Sequence, residues 1–307
     1  WVSSIIEYDR WVTNYPAHSA LPQAEFDRAW LNHQAGNRAR AFQLFTNYVV
    51  RFPTNRLAPV AQKWIADHQF QSGKFAEAEQ GYRRLFENTN LLANVRGMEW
   101  EARLNAGRSA FFRQEHAAAE LLLASVINAT NAPVAEQARA EFFLGDVAAD
   151  QTQRTPTNLL DALTHYQRVA NEMIGSPLHP LAWGRVGDCY LQLGNLGPAA
   201  DAYRAVTELP GTDVTTRSQA GLGLARVLEE QAALAGETEE REELLQQSFV
   251  QCMYIVFGRN LRSASEKMDP FWVKEAGLMA GHLAGRLGLA DQERSVYSRL
   301  AKELPDM

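Results

Sequence analysis

The chain has 307 residues, of which 46% are apolar and 21% charged, an ordinary balance for a folded globular chain. Its net charge of −6 argues against a nucleic-acid partner, which would require a basic face. No apolar run reaches the length of a membrane-spanning helix; the densest, Phe249 to Phe257, is about half that length and reads as a buried helix.

In chain order, the first predicted element is a helix over the residues before Pro16. Ile5, Tyr8, Trp11, Val12 and Tyr15 recur at helical spacing, and Pro16 ends the run. It resembles the second helix of a helix pair whose first helix is missing, so the chain is expected to begin inside a longer array. An export signal or lipid-anchor cysteine upstream of Trp1 would not be visible.

From Pro22 onward a spaced quartet returns. Gly36 is followed by Ala41, Phe45 and Pro53, and at the same offsets Gly73 is followed by Ala78, Tyr82 and Asn90. Gly194 is followed in the same way by Ala199, Tyr203 and Gly211, and Gly288 by Glu293, Tyr297 and Pro305. Each position has a physical reason. Glycine permits the tight turn between two helices, and a small residue lets the helices approach. The aromatic fills the space between neighbouring pairs, and proline ends the helix.

The remaining pairs are degenerate. In the pair from Trp100 to Asn131, Glu115 stands where the turn glycine is expected. Polar inserts at Gln151–Asn158 and Gly236–Glu242 separate the helices of two others, and equivalent inserts of a repeat array lie along one edge. The predicted architecture is one solenoid over 1–307. It comprises a half-repeat at 1–16 and helix pairs at 22–53, 59–90, 97–131, 134–174, 180–211, 215–257 and 270–305.

The segment from His179 to Gly211 carries the most complete motif. Trp183, Val186, Gly187 and Tyr190 fill the first helix, Gly194 the turn, and Ala199, Tyr203 and Pro210 the second helix and its stop. This pattern resembles the tetratricopeptide (TPR) repeat. The resemblance implies an all-α, right-handed α-solenoid of about seven TPR-like helix pairs plus a leading half-repeat. Gly36 and Gly73 are 37 residues apart, longer than the standard period of about 34. The joints NYPAHSALPQAEF and RFPTNRLAPVAQKW resemble those of bacterial envelope TPR proteins such as the BamD-like and Tol–Pal-coordinator-like groups. That likeness implies a periplasmic or envelope-associated scaffold, with a cytoplasmic location as the alternative. An arginine-rich positive set, with lysine only at 63, 74, 267, 274 and 302, fits a GC-rich bacterial source.

Candidate chemistry is sparse. The seven histidines show no metal-binding pattern, and neither a phosphate loop nor a nucleophile elbow occurs, so no cofactor, metal or catalytic residue is expected. Cys189 and Cys252 lie in separate apolar stretches and read as buried thiols. The Asn128-Ala129-Thr130 sequon matters only in a eukaryotic secretory route.

The binding surface is expected on the first helix of each pair. Trp30 follows the small Ala29 as Asp188 follows Gly187, which directs it to the concave side. The same register adds His33, Gln34, Asp67, Phe70, Gln71, Leu191, Gln192, His282 and Arg286, and in the degenerate pairs Phe112, Arg113, Arg139 and Asp146. A mixed aromatic and polar lining of this kind suits a bound peptide. The expected function is a non-catalytic scaffold that grips a protein or peptide partner in this groove. The alternative is the helical superstructure or regulatory segment of a larger enzyme, as in lytic transglycosylases and some signalling enzymes.

Overall fold

The computed structural model describes residues 1–87, 97–151, 157–236 and 239–303, and among these it contains fifteen α-helices and no strand. It is an all-α solenoid. The predicted repeat ends at Asn90 and Pro305, residues 152–156 of the first insert and residues 237–238 of the second lie outside the described residues.

The chain divides into two compact units, Trp1–Val147 and Ala148–Met307. The first holds α1 (Val2–Asn14), α2 (Leu21–Gln34), α3 (Arg38–Arg51), α4 (Ala58–Gln71), α5 (Phe75–Glu87), α6 (Met98–Phe112), α7 (His116–Ile127) and most of α8 (Val134–Asp150). The second holds the end of α8, then α9 (Thr157–Glu172), α10 (His179–Gln192), α11 (Leu196–Glu208), α12 (Val214–Leu234), α13 (Glu239–Val256), α14 (Pro270–Arg286) and α15 (Ala290–Glu303).

Local chemistry fixes where these helices start and stop. Pro22, Pro59, Pro180 and Pro270 stand in the first turn of α2, α4, α10 and α14, where a missing N–H costs nothing and the fixed φ suits a helix. At the far end, Gly36, Gly73, Gly194 and Gly288 adopt φ of +81°, +72°, +74° and +72°. Each is followed by an N–H that reaches back five residues to a free helix carbonyl, as Asn37 N does to Asn32 O at 2.9 Å. The turn after α6 corrects the sequence expectation. Its left-handed residue is Gln114, φ +63°, not Glu115, and the Glu115 N–H makes the returning bond to Ala110 O at 3.0 Å. Counted from Gln114, the offsets of the other pairs fall on Ala119 and Leu123, both fully buried.

The core repeats one contact. Phe45, Tyr82, Leu123 and Tyr203 on second helices pack against Ala29, Ala66, Gly107 and Gly187 on the first helices of their own pairs, sixteen residues earlier in every case. Of these four, the aromatic ring that faces a glycine is Tyr203. A Cβ on Gly187 would lie 2.6 Å from its ring, and a Cβ on Gly223 of the following pair would lie 2.5 Å from it. The ring is thus clasped from both sides and is 1% exposed. No rotamer change can make room, because both walls are helix backbone.

Two stability measurements check this account. Gly187→Ala is expected to destabilise the second unit by roughly 1–3 kcal/mol through overpacking against Tyr203; an unchanged urea midpoint would overturn the register. Gln114→Gly relieves a left-handed conformation that costs a side chain about 1–2 kcal/mol, partly offset by glycine's greater freedom when unfolded. The expected outcome is a higher melting temperature.

Candidate functional site

In each pair the residue just after the small core residue lies on the outward face of the first helix. This register yields Trp30, Asp67, Arg108, Asp188 and Arg226, following Ala29, Ala66, Gly107, Gly187 and Ala225. Asp146 after Gly145 and His282 after Gly281 occupy the same place in the sequence pattern. Two separate surfaces arise from it, one in each unit.

In the first unit the surface is aromatic. Trp30, 40% exposed, lies 5.3 Å from the His33 ring, and His33 lies 5.3 Å from Trp64 on the next first helix, α4. Trp64 stacks flat on His68 at 5.3 Å. Burial, with the charges of Arg38 and Lys74, pushes the His68 pKa down, so it is a neutral ring near pH 7. Further along, the Arg108 guanidinium lies 5.1 Å from the centre of the Phe70 ring and 4.8 Å from that of Phe143. Phe70 meets Phe112 at 5.5 Å, and Phe112, 48% exposed, stacks on Phe75 at 5.0 Å. Between these aromatic groups, Asp67 accepts the Tyr82 hydroxyl at 2.7 Å and the Lys63 ammonium at 2.9 Å, and Lys63 also reaches Glu101 of α6 at 3.1 Å. Burial alone would lower the Lys63 pKa, but the two carboxylates outweigh it and raise it.

In the second unit the surface is a pocket of ≈ 340 Å³. Its floor is Tyr203 and Gly223, and its rim carries Asp188, Leu191 and Gln192 from α10, Gln219 and Arg226 from α12, and Trp272 from α14. The charges differ in status. Asp188 accepts the Tyr203 hydroxyl at 2.7 Å on one oxygen and faces Arg185 at 3.3 Å with the other. Burial, then Asp188, raises the Tyr203 pKa and keeps the phenol protonated. Arg226 is exposed, and among the described residues no carboxylate pairs with it.

The position of Trp272 is set from outside its own helix. Arg217, 4% exposed on α12, donates to the Asn260 carbonyl at 3.1 Å and 3.0 Å, to the Thr212 carbonyl and to Glu266 at 2.6 Å. Glu266 also accepts the Arg262 N–H, and these bonds depress its pKa. Asp269 then caps α14, accepting the Phe271 N–H at 3.0 Å while the Thr215 hydroxyl donates to it at 2.8 Å. The loop before α14 is therefore tied to α12, and the first turn of α14 is delivered to the pocket rim.

The structure brings together Trp30 with His33, Phe70 with Phe112, and Asp188 with Leu191 and Gln192. Gln34 and Gln71 are exposed on the last turns of α2 and α4, and Asp146 is half-buried on α8. Arg113 is bound to Glu79 of α5 at 2.6 Å and Arg139 to Glu136 at 3.1 Å. His282 is exposed, and Arg286 is paired with Glu229 of α12. Neither lines the pocket. Trp64, Arg108, Arg226 and Trp272 were not expected from the sequence. For Arg108 and Arg226 the signal was present, since each follows a small core residue, but the glycine turn that fixes the register is missing or displaced by an insert. Trp272 reaches the site only through the loop clamp.

Among the described residues no cluster of three or more His, Cys, Asp or Glu could hold a metal ion, and no helix is long and apolar enough to cross a membrane. Both cysteines are buried and free, and burial pushes each thiol up to about 12. Since the thiolate is the reactive form, neither should react with a disulfide reagent at pH 8 in the folded protein, while both should react in denaturant. Stoichiometric labelling of the native protein would contradict this packing.

No protein-family model matches the chain, and no curated protein matches it significantly. Among solved structures, it is similar to the C-terminal part of a TPR repeat-containing protein from Cytophaga hutchinsonii, with 11% identity and a TM-score of 0.58 over 92% of this chain and 96% of that one. A tetratricopeptide repeat protein from Parabacteroides merdae is similar at 14% identity and a TM-score of 0.51, over 91% of each chain. A third is a signal transduction ATPase with numerous domains (STAND) protein with a tetratricopeptide repeat sensor, from Pyrococcus horikoshii, at 11% identity and a TM-score of 0.61. The match covers 98% of this chain and 46% of that protein. At such identities the likeness establishes the fold, a tetratricopeptide-type solenoid.

Proposed function

We propose that the chain is a non-catalytic scaffold that binds a protein partner through the faces of its first helices. The observation that carries this reading is the pocket of the second unit. It brings half-buried aromatic surface, amide groups and a guanidinium with no carboxylate partner among the described residues into a recess of ≈ 340 Å³. Side chains of this mixture recognise peptides. The aromatic row from Trp30 to Phe112 offers a second contact surface of the kind that anchors partners. The hydroxyl–carboxylate pairs of the two surfaces, Tyr82 with Asp67 and Tyr203 with Asp188, have their rings buried in the core, which favours binding over catalysis. The envelope setting belongs to the same proposal and rests on the joint sequences between repeats.

The Pyrococcus protein supports a second reading, since in it a tetratricopeptide repeat sensor accompanies an ATPase. This chain would then be the sensing segment of a larger enzyme. Its binding faces would have the same use, with a catalytic domain as their output.

Partner capture tests the proposal. The chain is cross-linked in its native host, and partners are compared for the native protein, the Trp30→Ala/Phe70→Ala double variant and Trp272→Ala. Loss of these aromatic anchors is expected to weaken the partners at the affected face by about 30-fold, the scale of a 2 kcal/mol contact, with helix content retained. An unchanged partner list for all variants would refute the groove as the binding site.

A further inference from the structure

We infer that the pocket of the second unit selects a partner segment with an acidic side chain, Asp or Glu, next to an apolar residue: the carboxylate meets Arg226 and the apolar neighbour lies against Trp272 and Leu191. This deepens the scaffold reading and rests on it.

The second unit pairs its arginines with internal partners wherever they approach the first-helix face. Arg185 faces Asp188, Arg286 faces Glu229, and Arg217 is enclosed by Glu266 and two backbone carbonyls. Arg226 breaks this rule. It follows the buried Ala225, so α12 presents it outward into the recess, yet among the described residues no carboxylate reaches it. The one acid in the pocket, Asp188, has both oxygens occupied, by the Tyr203 hydroxyl and by Arg185. The unmet charge of the pocket is therefore positive.

A guanidinium at the wall of a recess is a stronger anion site than one on an open surface, because the walls exclude water and the planar donors can meet a carboxylate in pairs. The floor adds no competing anion, since the Tyr203 phenol is held neutral. The rest of the rim sets the surroundings of that carboxylate. Trp272 and Leu191 supply apolar area, while Gln192 and Gln219 can each donate to and accept from a peptide backbone. A bare anion would leave Trp272 and Leu191 unused, and a purely apolar segment would leave Arg226 desolvated without a partner. An acidic residue beside an apolar one answers both.

The test uses the full chain and a display library of random twelve-residue peptides with blocked termini. It compares the native protein with Arg226→Gln, Arg226→Glu and Trp272→Ala. Arg226 is exposed and among the described residues no carboxylate pairs with it, so its variants should keep the native melting temperature. The native protein is expected to enrich peptides carrying Asp or Glu beside an apolar residue. For a synthesised winner, replacing that acid by Gln should weaken binding to the native protein about tenfold, which corresponds to 1.4 kcal/mol. Arg226→Gln should bind the acidic peptide and its Gln twin equally. Arg226→Glu should move the enrichment to Lys or Arg, and Trp272→Ala should lose the apolar preference while keeping the acidic one. Peptides enriched without an acidic residue, or an acidic preference that Arg226→Gln retains, would overturn this inference and leave the scaffold reading standing. The same holds if free-carboxylate peptides bind and blocked ones do not, since the carboxylate would then be a chain terminus. Enrichment of no peptide by any of the proteins would count against the scaffold reading itself.

Discussion

The clasp of Tyr203 between Gly187 and Gly223 is the contact on which the second unit depends. One ring sets the distance between the helices of its own pair and also the distance to the next pair. A stack of helix pairs has little else to define its spacing, because each pair meets only its neighbours. The first unit solves the same problem less tightly, with Ala29 under Phe45, Ala66 under Tyr82 and Gly107 under Leu123. The hydroxyl is the second part of the device. Where the ring is tyrosine, as at 82 and 203, the hydroxyl ties down an aspartate on the first helix. Where the residue is Phe45 or Leu123, no hydroxyl is available, and the facing positions are Trp30 and Arg108. In these four pairs the core residue beneath thus constrains which chemistry appears on the surface above it.

This coupling explains how much could be read from the sequence. The pairs with a glycine turn were legible because glycine, alanine, aromatic and proline positions each answer to a separate steric demand. Four such demands at fixed spacing leave a clear trace. The turn at Gln114 left none, since a left-handed glutamine cannot be distinguished from an ordinary one in a string of letters, and the register slipped there by one residue. The inserts before α9 and α13 displace the turn that would fix the register of their pairs. Arg226 escaped notice for that reason, although it is to Ala225 what Asp188 is to Gly187. Trp272 was illegible for another reason. It stands in the first turn of its helix, outside the repeat register, and reaches the pocket because Arg217 and Asp269 hold the preceding loop.

Pairing of side chains was the other part that the sequence could not disclose. The register put Asp67 and Asp188 on the expected groove, and both are held by a tyrosine and a cation. It put Arg113, Arg139 and Arg286 there too, and each faces a glutamate. A helical register predicts direction, not company. Only the assembled helices show which charges remain for something outside the chain.

The Arg217 clamp has a consequence for how the pocket would work. A tryptophan at the start of a helix, after a loop of a dozen residues, would ordinarily sample many positions, and a ligand would bear the entropy of stilling it. Here that ordering has already happened during folding, through a buried guanidinium on α12, the same helix that carries Arg226. The two rim residues are therefore indexed to one rigid element. Their separation is a property of the folded chain, and the pocket meets its ligand with its span already set.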